Sequence, residues 1–280
     1  MGRIFNRYYW KQMYQDIAHY CVSCEVCARR KLPRRLEGIP ILSPQLDYIG
    51  SYGPMECIAI DVIGPITTSG RSSLIIVMVD LYTRYGVAVP IQQQKTQSIV
   101  QALMRKWFTV FGVPKAILSD NGPGMSAFNM KACMKAMGVR SRYILPYHPE
   151  SNGICERLNG TVINMLSSYV QQPENQKKWA GYLDHVVFAY NTSVHTATGY
   201  TPYYLVFGHE ACIGSEAMLD TLPREFRPYP AYVKEMQRDM WLAHRHIRER
   251  GNIVQADSRS VTDEESHLEE GEVRVLQLQH

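Results

Sequence analysis

Three acidic side chains of this 280-residue sequence stand at positions where a carboxylate needs an explanation. Asp61 lies inside the apolar run CIAIDVIG, Asp120 ends KAILSD immediately before the turn NGPG, and Glu156 follows PYHPESNG. A carboxylate among apolar neighbours is costly unless charge or hydrogen bonding compensates it. Taken singly, each has an ordinary reading: a hydrogen-bonded strand Asp, a turn-forming Asp before Asn-Gly, a Glu complementing a helix dipole. Taken together, they offer three oxygen donors that would repel one another unless a cation lay between them. Magnesium, or manganese in its place, suits such a set, because it binds through one or two carboxylates and keeps waters that phosphate oxygens can replace. Two such ions about 3.5 to 4 Å apart can assist both the attacking and the leaving oxygen of an in-line displacement. The chemistry implied is phosphoryl transfer.

For the three acids to meet, the chain must deliver them from separate elements. CIAIDVIG, LIIVMVD and RYGVAVPI read as strands of a meander. A helix is predicted from about Ser98 to Phe111, with Ile99, Leu103, Trp107 and Phe111 at helical spacing and Gly112 and Pro114 ending it. KAILSD is a further strand, Ala127 to Met137 a helix, and Arg140 to Ile144 a short strand. After Gly153, Ile154, Leu158, Val162, Met165 and Tyr169 line one helical face, and a last amphipathic helix from Gln176 to Tyr190 turns Trp179, Leu183, Val186 and Tyr190 inward. This order predicts an α/β domain with a mixed sheet flanked by helices. Asp120 then sits at a strand end, where side chains reach a cleft. Glu156, two residues on from Ile154, falls roughly 200° round the helix from the apolar stripe.

The rest of the chain divides by pattern. Residues 1–35 hold a helical, aromatic-rich piece ending in CVSCEVCARRK; 36–54 form a Pro- and Gly-punctuated linker; 55–210 carry the α/β pattern; 211–280 hold a basic helix from Tyr232 to Arg248 and then an acidic segment expected to stay mobile. The net charge of +4 conceals an asymmetry. Val261 to His280 contains six acidic residues and one Arg, leaving 29 basic against 20 acidic residues elsewhere. Residues 1–35 contribute eight basic and two acidic groups, with Arg29, Arg30 and Lys31 among them, a cluster suited to phosphate backbones or nuclear import and equally to a solvated surface. Seven scattered cysteines argue for a reducing compartment rather than a disulfide framework. The longest apolar stretches, such as Leu74 to Val79, fall far short of the roughly 20 residues of a membrane span, and the charged, aromatic start is unlike a signal peptide. A nuclear location and no membrane partner are expected.

Thirty-five residues separate Asp120 from Glu156. With that spacing, and with the words IAIDVIGP, VDLYTRY, LSDNGPGMSAF, YHPESNGICERLNGTV and FAYNTSVHTATGYTPYYLVFG, the sequence resembles the catalytic core of retroviral and Gypsy-type LTR retrotransposon integrases from about Ile4 to Phe207. The resemblance implies a ribonuclease-H-like fold, with Asp61, Asp120 and Glu156 in the metal-binding catalytic places. It also implies an enzyme, a polynucleotidyl transferase that trims the 3′ end of the element's DNA and joins the freed hydroxyl to target DNA, where positioning and charge neutralisation supply most of the acceleration. Asn152, Arg157 and Asn159 are candidate DNA contacts, or ordinary polar groups of the loop and helix. A homo-oligomer is implied too, because two DNA ends must be held together.

Residues 4–31 resemble the later part of the family's helical zinc-binding domain, in which two His and a Cys-x-x-Cys hold one Zn²⁺. Cys24 and Cys27 take the Cys places, the His pair has no counterpart, and His19 and Cys21 are potential substitutes. Two further departures are Gly160, where many relatives place a basic residue, and EGEVRVLQL, which matches at most the opening strand of the appended β-domain. Other readings are a domesticated, catalytically silent relative that binds DNA or protein, and a simple metal nuclease on the same fold. Joined DNA products would separate the first reading from both.

Overall fold

The computed structural model describes residues 8–24, 52–67, 69–120, 122–143, 153–170, 173–212 and 232–249. The cluster Arg29, Arg30 and Lys31, the residues Cys27 and Asn152, and the acidic segment after Val261 lie outside them. A helix α1 (Met13–Ser23) comes first, within the helical piece expected in residues 1–35; residues 25–35 of that piece lie outside the described residues.

The α/β pattern becomes one five-stranded sheet of order β3-β2-β1-β4-β5. β1 (Cys57–Ile63), β2 (Leu74–Asp80) and β3 (Gly86–Ile91) form the expected antiparallel meander. β4 (Ala116–Ser119) and β5 (Arg140–Tyr143) continue the sheet parallel to β1. β2 is buried along nearly its whole length, which is why LIIVMVD is apolar throughout rather than alternating: an inner strand covered on both faces must be.

One face of the sheet is covered by α2, α3 and α4, which pack Ile99, Leu103, Trp107, Met130 and Met134 against Ile58, Ile60, Ile76 and Ile117. α2 begins at Thr96–Leu103, passes through a π-helical turn (Met104–Phe108) and ends with Thr109–Phe111, so the single regular helix expected over 98–111 is interrupted. The extra residue of that turn buries Trp107 and Phe108 side by side. The helix expected over 127–137 is α4 (Phe128–Ala136), preceded by a short helix α3 (Pro123–Ser126) in the stretch expected to be a turn.

The other face carries α5 (Gly153–Tyr169) and α7 (Trp179–Asn191), preceded by the short α6 (Pro173–Gln176). Leu158, Val162, Leu166, Trp179, Leu183 and Val186 fill this second core, in line with their helical spacing. Tyr169 is an exception; it is 45% exposed and stacks on Tyr182. α7 is tied to β3 by Asn191, whose side-chain oxygen accepts from the Gly86 amide and whose amide donates to the Gly86 carbonyl, both at 2.8 Å. α8 (Pro202–Phe207), too short to leave a period in the sequence, starts at Thr201, whose hydroxyl accepts from the Tyr204 amide at 3.0 Å. A final helix α9 spans 232–249. It rests on the core through Met236 and Met240 at Gly208 and through Tyr82, whose hydroxyl donates to the His244 carbonyl at 3.0 Å. Its Arg238 and Arg245 are displayed as expected but face Asp239 and Glu249 at 3.6 and 3.2 Å. No helix among the described residues is long and apolar enough to cross a membrane.

Candidate active site

Strand register brings two of the acids together. β1 and β4 run parallel with Ile60 opposite Ser119, so the next rung sets Asp61, within β1, beside Asp120, just past the end of β4. Adjacent strands lie about 4.8 Å apart. Asp120 is exposed, the first residue beyond β4, and its Oδ1 accepts from the Gly122 amide at 3.2 Å. The turn that holds it is tight. A Cβ at Gly124 would stand 2.6 Å from the Ile99 side chain and 2.9 Å from the Gln94 carbonyl oxygen, so only glycine lets the chain approach α2 this closely.

Glu156 enters from the other direction, in the exposed first turn of α5, with Cys155 and Leu158 on either side of it buried in the core. The helix is thereby fixed in rotation, and Glu156 turns toward the strand ends.

Asp61 is half-buried, and burial pushes its carboxyl above the usual carboxylate range. The Val62 amide, at 2.8 Å from Oδ1, and the Asn159 side-chain amide, at 2.6 Å from Oδ2, pull it back down; the charges of Asp120 and Glu156 push it up again. Because the charges of both other acids reach Asp61, the three side chains occupy one electrostatic neighbourhood. Buried Cys155 lies among them. Burial, then the charges of Asp61, Glu156 and Asp120, hold its thiol protonated and so unsuited to ligation. Yet among the described residues no group of three or more His, Cys, Asp or Glu side chains is drawn in tightly enough to form a metal cage. The donor chemistry fits a hard divalent ion, since all three groups supply oxygen. So does Asn159 Oδ1, a buried acceptor beside Asp61 with no hydrogen-bond partner.

Asn159 changes character here: in the sequence it is a candidate DNA contact, whereas in the fold its amide is committed to Asp61. Arg157 stays exposed, and its charge reaches Arg84, Tyr190 and His195. The Arg84 guanidinium, at a left-handed φ of 66° in the β2–β3 turn, has its pKa lowered to about 10 chiefly by burial. Beside it, Thr83 donates from its amide and hydroxyl to Asp80 Oδ2 at 2.8 and 2.7 Å. Nothing in the sequence singles out Arg84 or Asp80; the mixture of charge and positive φ in VDLYTRY shows only in the folded turn. Cys24 caps the C-terminal end of α1.

The fold and the site define an α/β core, a mixed five-stranded sheet flanked by helices, with an acidic cluster at the adjacent parallel strands β1 and β4. Residues 51–149 match the family described as integrase core domain, and residues 1–33 match the integrase zinc-binding domain. Over 207 residues, 74% of this chain, the sequence is 30% identical to the Pro-Pol polyprotein of simian foamy virus type 3 (strain LK3). It is 26% identical over 204 residues to the transposon Tf2-3 polyprotein of Schizosaccharomyces pombe. The chain spans only 17% and 15% of the lengths of these relatives. Among solved structures, the magnesium complex of the HTLV-2 integrase catalytic core shares 17% identity at a TM-score of 0.46, covering 55% of this chain and 97% of that one. A chain of the simian T-cell lymphotropic virus intasome shares 19% at a TM-score of 0.49, covering 76% and 68%. The chain thus carries stretches similar to the integrase core and integrase zinc-binding domains, and its listed relatives are retroviral Pro-Pol and transposon polyproteins.

Proposed function

We propose that this chain joins DNA ends to target DNA by metal-dependent phosphoryl transfer, after trimming the 3′ ends of the element. The observation that carries the reading is the electrostatic coupling of Asp61, within β1, to both Asp120, just past β4, and Glu156, in a chain whose residues 51–149 match the integrase core domain. Asp61, Asp120 and Glu156 would hold magnesium or manganese, which when bound supplies charge neutralisation at the reacting phosphate. The chain's own groups do the rest. Asn159 fixes the Asp61 carboxylate by its 2.6 Å hydrogen bond, and the Gly122 amide orients Asp120. The buried Cys155 and Leu158 keep the helix start that carries Glu156 from rotating.

DNA is the partner, with Arg157 on the exposed face beside Glu156. Asn152 and the run Arg29, Arg30 and Lys31 are assigned to DNA on the same reading. Cys24 and Cys27 are assigned to one Zn²⁺ in the zinc-binding domain, the working form is a homo-oligomer that holds two DNA ends, and the location is the nucleus. The test is an oligonucleotide assay with magnesium or manganese: wild-type protein yields trimmed and joined products, and Asp120→Asn yields neither. Cleaved but never joined DNA would point to a nuclease, and DNA binding with no metal-dependent product to a silent relative. Either result overturns the proposal.

A further inference from the structure

The stretch between the second and third acids is one-sided in charge. From Asn121 to Pro149 there is no acidic residue, while Lys131, Lys135, Arg140 and Arg142 are all basic. The fold sets Lys131 and Lys135 on α4 and Arg140 and Arg142 on the adjoining strand β5, where alternation turns both arginines to the face away from α4. On α4, Phe128, Lys131 and Lys135 recur at i, i+3 and i+7, so they share one face, opposite buried Met130 and Met134. That face is in solvent, and Phe128, at the helix start, is 83% exposed.

Beside α4 runs β5, the outermost strand, on the opposite side of the sheet from β3. It carries a cation–aromatic pair on each face. Lys131 stands 5.0 Å from the Tyr143 ring on the α4 side, and Arg140 stands 5.8 Å from the Tyr52 ring on the other. Tyr143 is anchored by its hydroxyl, which donates to the Met125 carbonyl at 3.2 Å. The register then ties this edge to the acids: Tyr143 pairs with Ser119, the residue before Asp120. Glu56, which lies just before β1, is matched by Lys115. A basic, aromatic edge built from a segment without acidic residues, starting one residue from an acidic cluster, suits a polyanion with apolar rings, which is the chemistry of a nucleic acid backbone and its bases.

We propose that the solvent face of α4, beside the β5 edge, seats a DNA backbone next to Asp120, with Lys131 and Lys135 toward phosphates and Phe128 against a sugar or base at the rim. This inference rests on the proposed DNA-joining function and extends it to a surface. An acidic protein segment would meet the same charges, but it gives Phe128 no ring to stack on.

The test needs no catalysis. The full chain is titrated with a fluorescent blunt duplex of about 24 base pairs in chelator, between about 50 and 200 mM salt. Lys131→Ala/Lys135→Ala should lower affinity about tenfold or more and reduce the slope of log affinity against log salt by about 2, one for each phosphate no longer neutralised. Arg105→Ala/Lys106→Ala removes the same charge from the π-helical turn of α2, on the β3 side, and should leave the slope unchanged. Phe128→Ala should weaken binding about fivefold or more with the slope intact, because stacking does not depend on counterion release. The proposal is overturned if the Lys131/Lys135 variant keeps the wild-type slope, if the Arg105/Lys106 variant loses as much, if Phe128→Ala binds as wild type, or if poly-glutamate of equal charge displaces the duplex equally well. Asp120→Asn separates the two readings, since a failure of DNA joining leaves this metal-free slope untouched.

Discussion

His195 provides a prediction that can be worked through from its surroundings. It lies just beyond α7, with its Nδ1 accepting from the Ala197 amide at 3.3 Å, an arrangement open only to the neutral ring. Burial, followed by the charges of Arg84 and Arg157, lowers its pKa to about 4 from an ordinary 6.5. Tyr190 closes one side, its ring edge-on with centroids 6.3 Å apart. Because the folded pKa is depressed, the unfolded chain takes up the proton first as pH falls. The stability that neutral His195 contributes is therefore intact above about pH 6.5 and is lost between 6.5 and 4, with no further loss once both states are protonated. Between about pH 7.5 and 5 the linkage amounts to at most about 2 kcal/mol, and about 1 kcal/mol once solvent screening of a half-buried ring is allowed for. Urea unfolding at those two pH values measures it, with His195→Asn as the comparison, since Asn keeps an acceptor for the Ala197 amide and does not titrate. The wild type should lose about 1 kcal/mol more than the variant on acidification. Equal losses would show that the ring is accommodated in its charged form and that Arg84 and Arg157 do not oppose it.

Other expectations concern the positioning of the acids. Asn159→Ala removes the 2.6 Å donor to Asp61 and should weaken manganese binding about 10- to 100-fold by calorimetry, with little change in the unfolding midpoint. Gly124→Ala forces a methyl against Ile99 and the Gln94 carbonyl and should cost about 1 to 3 kcal/mol in thermal unfolding, because a backbone oxygen cannot move aside. Asn191→Ala strips partners from both the amide and the carbonyl of Gly86 and should destabilise the protein by about 2 to 4 kcal/mol in urea titration.

Much of this protein is legible in its linear order. Spacing alone predicts the meander of β1 to β3 and the apolar faces of α5 and α7, because burial on one side of a helix or within an inner strand leaves a period that survives in the linear text. Less legible are the places where local rules bend. The π-helical turn in α2, where Trp107 and Phe108 are both buried, and the short helix α3 in the NGPG turn carry no signal in the apolar spacing. Asn159 reads in the sequence as a surface contact because a polar residue on a helix carries no sign of what it faces 98 positions away.

The residue types and their separations by themselves established three carboxylates, their 35-residue interval and an α/β frame, since these are properties of order along one chain. Only the tertiary structure decided that β1 and β4 lie side by side with Ile60 opposite Ser119, that Asn159 is committed to Asp61, and that Arg84 and Arg157 share the surroundings of His195. Those relations depend on distances through space between residues far apart in sequence. Charge and hydrogen bonding act over ångströms, whatever the number of residues between the groups.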